Sequence, residues 1–216
     1  MSDEAPRRRL LYFADPMCSW CWGFSPEIAR IRHACAEAVP IRLCVGGLRA
    51  GETRPLNERS KAYIRHHWQE VQAATGQPFD FGFFERDGFV YDTEPACRAS
   101  VVMRNFAPDA ALDYFAAVQR AFYAGNRDVT SEAVLAEIAT PFGIDADGFA
   151  VLFAAEEVQA ATRADFELVQ GLGIGGFPTV VLQTGNRLEA LTVGYRAYAD
   201  LEPELTRWLA GPGLPE

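Results

Sequence analysis

One short segment of the chain reads Asp15-Pro16-Met17-Cys18-Ser19-Trp20-Cys21-Trp22, and it holds two cysteines three positions apart. A run of apolar residues of strand type, residues 10–14, comes directly before it. Apolar residues at helical spacing follow between residues 28 and 38. The cysteine pair is therefore predicted to lie where a strand becomes a helix, with both thiols on one face of the first helical turn.

This predicted position gives the two cysteines different chemistry. The first backbone N–H groups of a helix lack intrahelical partners, and the helix dipole is positive at that end, so a thiolate there is stabilised over the thiol. Cys18 is the residue placed to benefit. Cys21 is near enough to form a disulfide with Cys18 with little movement of the backbone.

A Cys-x-x-Cys pair can also be half of a zinc site, or a remnant that only supports the fold. Tetrahedral zinc needs about four ligands. The remaining cysteines and the histidines are Cys35, Cys44, Cys97, His33, His66 and His67. None of them forms a second pair at metal-ligand spacing. We therefore favour a redox pair over the other two readings and predict no metal, because this motif beside a β-α-β pattern is typical of thiol–disulfide exchange.

Four further side chains could have a structural or a chemical role. Cys35 and Cys44 are predicted as small buried side chains. Cys97 stands near a predicted helix start, so it is either a packed side chain or an activated thiol. Asp15 either accepts a proton from Cys21 or shapes the turn before the helix.

Composition limits the classes of function. The 216 residues are 49% hydrophobic, which suffices for one or two well-packed domains. The formal net charge of −9 argues against nucleic acid and anionic membranes as partners, because both would be repelled.

The N-terminal segment, residues 1–9, is charged and lacks the apolar core of a signal peptide. No apolar run approaches the roughly 18 residues that a membrane span needs. We therefore expect a cytoplasmic protein, in which a Cys-x-x-Cys pair cycles between redox states rather than forming a permanent structural disulfide. The odd total of five cysteines agrees with this expectation.

The order of predicted elements defines the fold class. A strand, a helix and a strand come first, a helical block follows, and a helix, two strands and a helix close the chain. The ranges are 10–14, 19–38 and 41–45, then about 55–153, then a helix after residue 156, 179–182, 188–193 and 198–209. This is an α/β thioredoxin fold with a large inserted all-helical domain. The predicted domains are 8–52 with 157–211, and the insertion 53–156.

Several features of the insertion are predicted from local patterns. One helix presents an amphipathic face that comprises Tyr63, Ile64, His67, Trp68 and Val71. The aromatic residues between 76 and 92 are predicted to pack between helices rather than to line a groove. Hydroxyl groups of Thr93 and Thr130 are predicted to cap two helices.

The whole pattern resembles the DsbA family of the thioredoxin superfamily. The resemblance rests on Cys18-Ser19-Trp20-Cys21 after a strand, on the helical insertion, and on Gly173-Ile174-Gly175-Gly176-Phe177-Pro178-Thr179 before a hairpin. The segments 92–98 and 122–128 are similar to a cytosolic branch that contains FrnE-like proteins and 2-hydroxychromene-2-carboxylate isomerases. In segment 92–98, Asp92 and Cys97 stand where that branch often has Asn and His.

The resemblance implies roles for individual residues. Cys18 would be the nucleophile and Cys21 the resolving cysteine. Pro178 matches a cis-proline opposite the cysteine pair, and with Phe177 it would bind an extended substrate by short β-pairing; a plain turn entering a strand is the alternative. Trp20 and Trp22, on either side of Cys21, are the other expected substrate contacts.

The resemblance also leaves three functions open. The first is a thiol–disulfide oxidoreductase or isomerase that acts on protein or small-molecule thiols and disulfides, with glutathione as a redox partner and no bound cofactor. The second is a glutathione-dependent transferase or isomerase, whose family members keep a serine at the position of Cys18. The third is a non-catalytic binding module. A monomer or a homodimer is compatible with each of them.

Overall fold

The computed structural model describes residues 8–36 and 38–211. Residues 1–7 of the charged N-terminal segment, on which the prediction about a signal peptide depends, lie outside this range. In the part of the chain that is described, none of the helices has the length and apolar character that a membrane span requires.

Four strands form one mixed sheet in the order β2-β1-β3-β4. They are β1 (Arg8–Ala14), β2 (Ile41–Val45), β3 (Thr179–Thr184) and β4 (Arg187–Val193). Strands β1 and β2 are parallel, whereas β3 is antiparallel to both β1 and β4. The parallel pair needs a crossover, which the first helix provides, and the antiparallel pair needs only the turn at Gly185.

Eight α-helices surround or extend this sheet. They are α1 (Ser19–Cys35), α2 (Glu58–Thr75), α3 (Glu94–Phe106), α4 (Ala111–Tyr123), α5 (Glu132–Ala139), α6 (Ala146–Ala154), α7 (Glu156–Gly171) and α8 (Tyr198–Leu209) among the described residues. The predicted fold class is confirmed, since the elements run β-α-β, then helices, then α-β-β-α. The domain limits at 53–156, and at 8–52 with 157–211, stay a prediction.

The side chains of β1 alternate between two apolar cores because successive residues of a strand point to opposite faces. Leu10 and Tyr12 pack with residues of α1 and α8 on one face. Leu11 and Phe13 pack with Val169 of α7 on the other. Helix α1 therefore lies directly on the sheet, and its N-terminus is fixed at the end of β1.

The helical part of the chain has an aromatic core centred on Trp68. Ring centroids of five neighbours lie 4.8–5.9 Å from the Trp68 ring: Phe79, Phe83, Phe84, Phe122 and Tyr123. The predicted packing of the aromatic segment between helices is thus confirmed.

Three local predictions were wrong. Tyr63 is 61% exposed, because the buried stripe of α2 follows Ile64, Trp68 and Val71, and Tyr63 lies beside that stripe. The Thr93 hydroxyl accepts a hydrogen bond from the Arg49 amide instead of capping α3.

The third wrong prediction concerns the start of α5. This helix begins after Ser131 rather than after Thr130. The hydroxyl and amide of Thr130 both donate to the Asp128 carboxylate, so that residue belongs to the preceding turn.

Candidate functional site

Cys18 occupies the N-cap position of α1, as predicted from the strand-to-helix boundary. Its backbone is extended, with φ −91° and ψ 118°. Its amide donates to the Asp15 carbonyl at 3.1 Å, and its carbonyl accepts from the Trp22 amide at 3.1 Å. The residue is 7% exposed, and its side chain makes no capping hydrogen bond to the first helical turn.

Cys21 lies one helical turn further and is fully buried. Both cysteines carry free thiols. Burial raises the pKa of the Cys21 thiol well above its usual value, and the adjacent Cys18 raises it further. Cys21 is therefore closed to solvent, and its raised pKa holds it as the neutral thiol at neutral pH.

The loop before β3 reaches Cys18 from across the molecule. The Phe177–Pro178 peptide bond is cis. The Cys18 Sγ atom donates to the carbonyl oxygen of Phe177 at 3.7 Å. Pro178 itself is buried, and its carbonyl accepts from the Gly194 amide at 2.7 Å, which ties the loop to the end of β4.

The Phe177 ring packs against Gly46, which directly follows β2. A Cβ atom at Gly46 would stand 2.3 Å from the ring. Only glycine fits at this distance, so the close approach of the Phe177 ring to the backbone of residue 46 depends on the absence of a side chain there.

Asp15 is buried and organises the turn between β1 and α1. Its Oδ1 accepts from the Met17 amide at 2.8 Å, and its Oδ2 accepts from the Leu48 amide at 2.7 Å and from the Cys97 thiol at 3.4 Å. Burial raises the pKa of this carboxyl, and the two amides partly offset the effect. Of the two interpretations from sequence, these contacts support the turn residue.

The other three cysteines are packed side chains. Cys97 is fully buried, and burial followed by the charge of Asp15 raises its pKa well above the usual value. Burial also raises the pKa of Cys35 and of Cys44 to about 11. The structure therefore favours packing over an activated thiol for Cys97.

A pocket of about 500 Å³ opens beside Cys18. Five parts of the chain line it, and their main contributions are Cys18 and Trp20, Leu48 and Arg49, Tyr63 and His67, Tyr91, and Phe177. Its volume is in the range of small-molecule sites. The structure thus brings together Cys18, Trp20 and Phe177 from the predicted site.

The two tryptophans of the motif have different surroundings. Trp20 lines the pocket, and its ring lies 5.9 Å from that of Tyr195. Trp22 is only 3% exposed, stacks on Tyr123 with ring centroids 6.3 Å apart, and donates from Nε1 to the Pro78 carbonyl at 3.1 Å. The prediction that Trp22 contacts substrate does not fit this position, because its side chain belongs to the helical core.

Sequence reasoning missed most of the residues that line the pocket, among them Leu48, Arg49, Tyr63 and His67. Tyr63 and His67 are four positions apart on α2, so the sequence showed that they share one face of the helix. It could not show which part of the fold that face contacts. Leu48 and Arg49 follow the Gly46-Gly47 pair, which gives no chemical signal by itself. Within the described residues, no group of three or more His, Cys, Asp or Glu side chains stands together as metal ligands would.

Comparison with known proteins identifies the relatives of this arrangement. The family model of the DSBA-like thioredoxin domain matches residues 9–205. A candidate protein disulfide isomerase from Nitrosomonas europaea has a similar structure, with a TM-score of 0.88 and 41% identity, covering 94% of this chain and 98% of that one. The cytosolic disulfide reductase DsbM from Pseudomonas aeruginosa gives a TM-score of 0.77 and 28% identity, covering 93% of this chain and 98% of that one.

Two further matches are a second structure of DsbM, which contains a ligand, and an adapter protein. The DsbM structure solved with GSH is similar to this chain with a TM-score of 0.75 and 28% identity, at 93% and 98% coverage. The ClpXP adapter protein SpxH of Bacillus subtilis is 21% identical over 169 residues, which are 78% of this chain. The chain spans only 56% of the length of that curated relative.

Proposed function

The chain belongs to the DSBA-like thioredoxin domain family, and on that premise we propose that it is a thiol–disulfide oxidoreductase with Cys18 as nucleophile and Cys21 as resolving cysteine. One observation carries the proposal. Cys18 stands at the start of α1 at the mouth of a pocket, while Cys21 lies one turn behind it and is buried. An attacking thiol that lines a pocket and a resolving thiol buried behind it are what a two-step exchange requires.

The exchange has two balanced steps. The Cys18 thiolate attacks one sulfur of a substrate disulfide; a Cys18–substrate disulfide forms, the substrate S–S bond breaks, and its other sulfur leaves as a thiolate. Cys21 then loses its proton and attacks Cys18, which expels the second substrate thiolate. The protein dithiol is oxidised to the Cys18–Cys21 disulfide, and the substrate disulfide is reduced to two thiols. The reverse sequence oxidises a substrate dithiol.

Three surrounding residues support substrate binding in this proposal. The Phe177 carbonyl faces the Cys18 thiol at 3.7 Å, beside the buried Pro178, so the backbone of this loop is available to an extended chain. Trp20 supplies an aromatic wall to the pocket.

We propose glutathione as the redox partner, since the similar DsbM protein has been solved with GSH. We also propose a cytoplasmic location, in line with the cytosolic DsbM reductase. No bound cofactor is needed for either step, and the cysteine at position 18 supports disulfide exchange over the transferase or isomerase alternative, because a serine forms no mixed disulfide.

A binding module is the second candidate, favoured by the similarity to SpxH adapter proteins. One experiment separates the two functions. The wild-type protein and its Cys18→Ser variant are compared in reduction of insulin with and without glutathione. An oxidoreductase reduces insulin and loses this activity in the variant, whereas an adapter is inactive in both forms and keeps its fold.

A further inference from the structure

The pocket beside Cys18 differs in charge from the rest of the protein. The chain has 29 acidic and 20 basic residues and a net charge of −9. Yet none of the described residues that line the pocket is acidic, and only Arg49 and His67 are basic. His67 has an acidic neighbour, since its Nδ1 lies 2.9 Å from Glu70 Oε2. Arg49 is therefore the one permanent charge in the pocket lining.

Arg49 is held in place but its charge is not neutralised. Its amide donates to the Thr93 hydroxyl at 3.1 Å, and the preceding amide, of Leu48, donates to Asp15 at 2.7 Å, so the loop is fixed at two consecutive positions. The guanidinium carbon lies 5.3 Å from the ring centroid of Tyr91, which also lines the pocket.

Arg49 differs from two other partly buried arginines of the described chain. Arg98 pairs with Glu94, and Arg104 pairs with Asp165. Across the described residues, no carboxylate lies within 4.0 Å of the Arg49 guanidinium. A half-buried cation without a carboxylate partner is strongly stabilised by an anionic ligand, and the planar, forked guanidinium of arginine suits a carboxylate.

We propose that Arg49 binds a carboxylate of the substrate, so that the pocket selects small thiols and disulfides that carry carboxylates, of the size and charge of glutathione. The volume of about 500 Å³ accommodates a molecule of this size, with its sulfur at Cys18 and a carboxylate at Arg49. The selectivity for exchange rests on the proposed function, whereas the carboxylate site itself can be tested by binding alone.

The test compares exchange rates for oxidised glutathione with those for its fully esterified ethyl ester, in which every carboxylate is neutralised. Bis(2-hydroxyethyl) disulfide serves as the uncharged reference. The wild-type protein is expected to favour oxidised glutathione over the ester by roughly three- to tenfold, the range for a partly exposed charge-assisted contact. The preference should decrease as salt is added, because the site is open to solvent.

The decisive variant is Arg49→Gln, in which the preference is expected to fall to about one. Arg49→Lys keeps the charge without the fork and should give an intermediate ratio. Arg163→Gln is the matched control: it removes one positive charge from an exposed site on α7, outside the pocket lining, and should keep the wild-type ratio. Thermal unfolding of each variant shows whether the fold is kept.

Binding of S-methylglutathione, which has no thiol to exchange, tests the site independently. Calorimetry should show weaker binding to Arg49→Gln than to the wild-type and Arg163→Gln proteins. Equal binding by all three, or an unchanged ratio of exchange rates in Arg49→Gln, would overturn the proposal. A protein that binds S-methylglutathione through Arg49 but exchanges no disulfide would instead contradict the proposed oxidoreductase function and support the carboxylate site.

Discussion

The Sγ atom of Cys18 lies 3.7 Å from the carbonyl oxygen of Phe177, although 159 positions separate the two residues in the chain. This contact joins the start of α1 to the loop before β3. Both residues line the same pocket, so a substrate sulfur that enters it meets Cys18 beside the Phe177 loop.

The five cysteines should differ sharply in alkylation. Iodoacetamide at neutral pH is expected to modify Cys18 first, because it alone lies at the pocket. Burial raises the pKa of Cys35 and Cys44 to about 11, so their thiolates become populated only as the pH rises toward that value. Peptide mapping by mass spectrometry measures the order. Modification of Cys35 or Cys44 in the folded protein as fast as that of Cys18 would contradict this assignment.

Substitution of the two tryptophans of the motif should separate an effect on substrate exchange from an effect on stability. Trp22→Ala removes a buried ring and is expected to lower the free energy of unfolding by about 3–5 kcal/mol. Trp20→Ala should slow exchange with disulfides and change the unfolding free energy much less, since Trp20 lines the pocket. Urea unfolding and exchange rates on the same samples provide the comparison. The reverse pattern would place Trp22, not Trp20, at the site.

Asp15 should stabilise the turn before α1. Asp15→Ala leaves the buried amides of Met17 and Leu48 without an acceptor and is expected to cost about 2–4 kcal/mol of unfolding free energy. Asp15→Asn retains one oxygen and should cost less. Urea unfolding of the three proteins measures both effects, and an Asp15→Ala variant as stable as the wild-type protein would show that the turn does not depend on the carboxylate.

The stability difference between the wild-type protein and Asp15→Asn should depend on pH. Burial raises the pKa of Asp15, so the folded chain keeps this proton at pH values where the unfolded chain has lost it. The stability of the wild-type protein relative to Asp15→Asn should therefore be greatest below the ordinary carboxyl pKa and fall as the pH rises through the raised one. A difference that grows with pH would mean that the folded state favours the charged carboxylate.

A buried ion pair should hold α7 against β2 on the far face of the sheet. Asp165 is 1% exposed and accepts from the Val45 amide at 3.0 Å and from Arg104. Asp165→Ala removes the carboxylate partner of Arg104 and the acceptor of the Val45 amide, and it is expected to cost about 3–5 kcal/mol. The control is Asp113→Ala at the exposed pair with Arg32, which should cost at most about 1 kcal/mol. Equal losses in the two variants would contradict this distinction.

Local pattern predicted most of the framework. The strands β1 and β2, the closing helix at 198–209 and the place of Cys18 all follow from periodicity and from the residues that end elements. The direction of the two tryptophans could not be predicted, because residues two apart on a helix point about 200° from each other and either could face the core. The proposed role of Arg49 could not be predicted, since the pocket that Arg49 lines is formed by segments that only the tertiary fold brings together.

Cys18 is proposed to attack the substrate and Cys21 to resolve the mixed disulfide, and the Cys21→Ser variant separates these two roles. After reduction and incubation with oxidised glutathione, intact-mass spectrometry and peptide mapping should find one glutathionyl group on Cys18, retained because no second thiol expels it. The Cys18→Ser variant should carry none on Cys21, which is buried. A stable adduct on Cys21 in Cys18→Ser, together with an unmodified Cys18 in Cys21→Ser, would contradict the account and reverse the two roles.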